Sequence, residues 1–136
     1  MGHSSGGTHV AAYVSSPAFH PPGGSGLKGA IVSSGGFDSN AEQAKPYYGP
    51  SGNFGKLDFV PGALASGIPL LVFQAEYDPD WVPDGQKAMK QAALNAPLKP
   101  RFVLNKDHAH LTQTYSFNTG DESVSKEVEA FIKAHP

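Results

Sequence analysis

Three residue types that together perform acyl transfer occur in this chain in a fixed order. The first is Ser4, flanked by glycines in Gly2-His3-Ser4-Ser5-Gly6. A G-x-S-x-G run is the pattern of a nucleophile elbow, where a serine sits at the tip of a sharp strand-to-helix turn. Small residues two places before and after leave room for that turn. The following helix aims its amino-terminal dipole at the reacting centre. The backbone N–H of Ser5 would supply half of an oxyanion hole, which makes Ser5 the substrate-binding candidate. A serine needs a histidine base, and the histidine needs a carboxylate to orient it.

The carboxylate belongs just beyond the carboxyl end of a strand, where open α/β sheets place their sites. Asp78 stands in the turn Ala75-Glu76-Tyr77-Asp78-Pro79, directly after the apolar run Ile68–Gln74. Asp80 and Asp84 are alternatives. Asp80 is equally placed to cap the next helix, and Asp84 to lie in its first turn. The histidine belongs in the loop after the next strand, Asn105 to Thr112, which holds His108 and His110. His110, followed by an apolar and a hydroxyl residue, is the candidate base. His108 is the alternative and otherwise supports the loop. His-x-His also has metal-pair spacing, but a metal site needs more ligands. The chain has no cysteine, and His3, His9, His20 and His135 are scattered. No metal and no cofactor are expected.

The elements that must position these groups follow from periodicity. Residues 4 to 16 carry Val10, Ala11 and Val14 on one helical face. A Pro/Gly/Ser connector covers residues 17 to 26. Gly29–Ser33 and Ile68–Gln74 predict buried strands, the second apolar on both faces. Arg101–Leu104 predicts a third. Helices are expected over about Asp84–Asn95, with Pro83 near the first turn, and over about Asp121–Ala134. In the latter, Thr119 with Glu122 fits a capping box, and Val124, Val128 and Phe131 form the apolar stripe. Strands alternating with helices imply a parallel sheet. The expected class is α/β: about three parallel strands flanked by helices, in one domain over 1–136, with a long loop at about 38–67. Phe37, Tyr47, Tyr48, Phe54 and Phe59 in or beside that loop either face the pocket or pack the loop down.

The start Met-Gly-His-Ser-Ser-Gly would also suit a purification-tag scar, and three fixed positions are weak alone. What favours the elbow is the amphipathic helix that follows in register. Net charge is −2, without a basic run, which argues against nucleic acid and anionic membranes as partners. No apolar run reaches membrane-spanning length. Gly and Pro number 16 and 12, so turns should be abundant. The absence of cysteine does not fix the compartment.

Gly-His-Ser-Ser-Gly-Gly-Thr-His-Val-Ala resembles the elbow of α/β-hydrolase carboxylesterases, a group that includes relatives of feruloyl esterases and kynurenine formamidases. Pro69-Leu70-Leu71-Val72 through Ala75-Glu76-Tyr77-Asp78-Pro79 resembles its acid segment. His108-Ala109-His110-Leu111-Thr112, with Tyr115-Ser116-Phe117-Asn118-Thr119, resembles its histidine segment. The resemblance implies a serine hydrolase acting on small carboxylic esters through an acyl-enzyme. Ser4 would be nucleophile, Asp78 the orienting acid, and His110 general base and acid. An arylformamide would suit the same groups.

In such proteins several strands and a His-Gly-type loop, which gives the second oxyanion donor, come before the elbow. Here only Met1 precedes Gly2. On this reading the chain is the carboxyl-terminal half of the fold, lacking also the strand that carries the serine. It is expected to be inactive alone, marginally stable, or dependent on association, for instance as a homo-oligomer. The rival reading is a non-catalytic remnant that acts as a binding module. A nucleotide-binding α/β domain is disfavoured, because no Gly-rich loop follows an early strand with a downstream acidic partner.

Overall fold

A computed structural model describes residues 1–39 and 57–136. Tyr47, Tyr48 and Phe54 lie outside the described residues. The chain forms a four-stranded sheet in the order β1-β2-β5-β6, all parallel. Its strands are β1 (Gly2–His3), β2 (Ala30–Ser33), β5 (Leu70–Tyr77) and β6 (Arg101–Ala109). A separate antiparallel pair joins β3 (Asp38–Ser39) to β4 (Leu57–Asp58). The helices are α1 (Ser5–Ser15), α2 (Val60–Ala65), α3 (Trp81–Ala93), α4 (Thr112–Tyr115) and α5 (Ser123–Ala134). The α/β class is therefore present.

The sheet has four strands rather than the expected three. The strand that leads to Ser4 was expected to be lacking, yet Gly2–His3 pairs in parallel with Val32 and Ser33. Two residues are too few to show a period in sequence. Two other boundaries also move. Residues Asn105 to Ala109, expected as loop, continue β6, with an irregularity in its pairing opposite Ala75–Tyr77. The expected loop at 38–67 contains β4 and α2, whose Pro61 sits in the first turn.

Side-chain alternation along the strands feeds two cores. Ala30, Val32, Leu70 and Val72 face Ala11 and Val14 of α1, Ala63 of α2 and Met89 of α3. Ile31, Leu71 and Phe73 face Val124, Val128 and Phe131 of α5. Fully buried strands of this kind must be apolar on both faces. Among the described residues, three helices thus cover one face, and α5 supplies the helical cover on the other. Phe37 is completely buried in the first core and Phe59 packs against it, so both serve packing rather than lining a pocket.

Helix α5 starts two residues later than expected, and the expected capping box does not form. Its first turn is held by Asp121, whose carboxylate accepts from the Ser123 N–H at 3.0 Å. Thr119 instead donates to the Ser116 carbonyl at 2.6 Å. Asp80 occupies the N-cap position of α3 without capping it through its side chain, and Asp84 lies exposed in the first turn.

Candidate active site

At the carboxyl ends of the parallel strands, three distant segments meet. Ser4 follows β1 and takes φ 56° and ψ −126°, a conformation that L-residues rarely adopt. Its N–H donates to the Ser33 carbonyl at 2.9 Å. The turn is possible because Gly2 has no side chain: a Cβ there would stand 2.2 Å from the Gly6 carbonyl oxygen. Gly6 itself faces open space. The second tight position is Gly7, where a Cβ would meet the Cα of Gly35 at 3.1 Å. The elbow pattern pointed to Gly6; backbone packing against the β2 turn makes Gly7 the constrained one.

Asp78 follows β5, and its carboxylate is only 1% exposed. A buried carboxylate needs donors on both oxygens. Oδ2 accepts from the Ala75 N–H at 2.7 Å and from the Ser34 hydroxyl at 2.5 Å. Oδ1 lies 2.6 Å from Nδ1 of His110. The other nitrogen of His110, Nε2, lies 2.9 Å from Oγ of Ser4. The structure therefore brings Ser4, Asp78 and His110 into one hydrogen-bonded line, although 106 positions separate Ser4 from His110. Ser5 opens α1 immediately beside it.

His108 points elsewhere. It is buried, with Nε2 at 2.9 Å from Ser123 Oγ and 3.1 Å from Asp121 Oδ2. Its Nδ1 lies 3.3 Å from Thr112 Oγ1. It fastens the end of β6 to the start of α5. The hydrogen bonds from Ser123 to Asp121, helped by the neighbouring His108 ring, hold the Asp121 carboxyl below its usual pKa.

Two aromatic rings flank His110. The His3 ring centroid lies 4.7 Å away, and the Trp81 ring meets it edge-on at 5.3 Å. His3 also hydrogen-bonds the His110 carbonyl through Nε2 at 2.7 Å. Burial lowers the pKa of His3, offset in part by that hydrogen bond. His3, Ser34, Trp81, Asn105 and Gln113 around the site were not singled out in the sequence. Ser34 and Asn105 carried a usable signal: each follows directly on the carboxyl end of an expected strand.

Among the described residues no three His, Asp or Glu side chains converge as a metal site would need. None of their helices is long and apolar enough to cross a membrane. A cavity of about 330 Å³ beside α3, lined by Gln74, Gln86, Lys90, Phe102 and Leu104 among others, includes none of the three aligned groups. No protein-family model and no curated protein matches the chain.

Proposed function

We propose that this chain is a serine hydrolase built on part of an α/β-hydrolase fold, cleaving small carboxylic esters through an acyl-enzyme. The observation that carries the reading is the Ser4–His110–Asp78 line, with contacts of 2.9 and 2.6 Å and the serine at positive φ. An imidazole so placed can take the Ser4 proton as Oγ attacks an ester carbonyl. Asp78 holds the ring with Nδ1 protonated, leaving Nε2 free to accept. The charge that develops on the carbonyl oxygen falls near the free N–H groups opening α1, that of Ser5 first. His110 then returns the proton to the leaving alcohol. A water molecule, activated by the same imidazole, releases the acid and restores Ser4. An arylformamide carbonyl can follow the same course.

Covalent labelling with a fluorophosphonate tests this reading, because only an activated serine reacts. The chain should be labelled, and the Ser4→Ala variant should not. Release of p-nitrophenol from p-nitrophenyl acetate should fall to the variant's background in parallel. A chain that labels no better than Ser4→Ala would sink the hydrolase reading and leave the non-catalytic one standing.

A further inference from the structure

We propose that Gln113 is a positioning residue: with Asn105 and Ser34 it forms a one-way hydrogen-bond relay that fixes the charge and aim of Asp78. The catalytic consequence rests on the hydrolase reading; the relay itself rests on geometry. Gln113 and Ser34 are fully buried and Asn105 nearly so. Asn105 Nδ2 donates to Gln113 Oε1 at 2.9 Å. Gln113 Nε2 donates to the Ser34 hydroxyl, and also to the His110 carbonyl at 3.3 Å. Ser34 donates to Asp78 Oδ2 at 2.5 Å.

The direction of this chain is forced at both ends. A backbone carbonyl can only accept, so the Gln113 amide must turn its NH₂ toward His110 and Ser34. An ionised carboxylate can only accept, so the single Ser34 proton must go to Asp78. Ser34 can satisfy both neighbours in one way: it accepts from Gln113 and donates to Asp78. Its position is fixed independently. Ser34 has φ 46°, its N–H donates to the Phe73 carbonyl at 2.9 Å, and buried Gln86 ties the Gly35 and Phe73 carbonyls at 3.1 Å each. A hydroxyl held this way keeps its proton directed at Oδ2 of Asp78. Gln113 therefore touches both the acid, through Ser34, and the base, through its carbonyl, from the short helix α4.

Gln113→Glu keeps the shape but, once ionised, presents only acceptors. The Ser34 proton would turn to the new carboxylate, and Asp78 would lose one donor while gaining a negative neighbour. Both changes make the Asp78–His110 pair hold its proton more tightly. The His110 titration midpoint, read from imidazole ¹⁵N shifts on the full chain, should rise by about one unit. Ser34→Ala removes the same donor without adding charge and should raise it by about half a unit. Amide spectra report whether each variant is folded, and Ser34→Ala decides if Gln113→Glu is not. Midpoints within about 0.2 unit of the parent in the folded variants would overturn the relay. The pH profile of fluorophosphonate labelling should move in the same direction. A parent chain that does not label sinks the hydrolase reading, while the imidazole titration still decides the relay.

Discussion

Ser4 and Asp78 contact the same imidazole, yet the chain secures them by opposite means. Ser4 is held by backbone: a two-residue strand, a positive φ and a glycine into which a neighbouring carbonyl presses. Its side chain is free of any structural duty beyond the His110 contact. Asp78 is held by side chain: its carboxylate gathers Ser34, Ala75 and His110, and nearly all of it is buried. One end holds a hydroxyl clear on strained backbone; the other is a satisfied polar cluster. Replacing the functional atom should therefore be nearly free at Ser4 and costly at Asp78.

The largest effect should come from the polar end. Asp78→Ala leaves the Ser34 hydroxyl, the Ala75 N–H and His110 without their acceptor in a buried site. Urea unfolding should show a loss of about 3 kcal/mol. A loss below about 0.5 kcal/mol would mean that the cluster contributes nothing net.

At the elbow the sensitive position is not the serine but Gly2. A methyl group 2.2 Å from the Gly6 oxygen forces the turn open. Gly2→Ala should cost about 1–3 kcal/mol and abolish labelling. Gly6→Ala, with open space around it, should cost less in the same assay.

Ser4→Gly should raise stability by about 1 kcal/mol, because glycine takes positive φ without strain. A drop instead would show that the Ser4 hydroxyl supports the fold as Asp78 does, and the contrast between the two ends would fail.

The smallest effect is one of pH and falls on His3, which borders both ends. Burial, the main influence, lowers its pKa from 6.5 in the folded chain. Between that lowered value and 6.5 the unfolded chain binds more protons, so stability rises with pH there. Acidification below 6.5 should therefore weaken the fold through His3. The His3→Gln variant should show a shallower fall of the thermal midpoint between about pH 7.5 and 5.5. An unchanged slope would place the pH sensitivity elsewhere.

How far the sequence could be read depended on whether the signal was local. The strand Ala30–Ser33 and the buried first half of Leu70–Tyr77 show as apolar runs, and α1 and α5 show through their stripes at the helical period. The cap of α5 lies at Asp121 and not at the expected Thr119–Glu122 box, since several side chains there can satisfy the same few N–H groups. The two-residue strand at Gly2–His3 was missed because its pairing partner lies some thirty residues on.

The sequence by itself determined the alternation of apolar strands and helices, the glycine-flanked serine, and the order in which serine, acid and histidine occur. Local spacing carries that information. Only the tertiary structure showed which of His108 and His110, two residues apart in one segment, meets Ser4 and Asp78. The end of β6 sends one ring toward Ser123 and the other toward Ser4 and Asp78. It also decided that Gln113, an ordinary polar residue in sequence, lies buried between Asn105 and Ser34. Hydrogen-bond partners far apart in the chain leave no periodic trace, so no reading of neighbours could have found them.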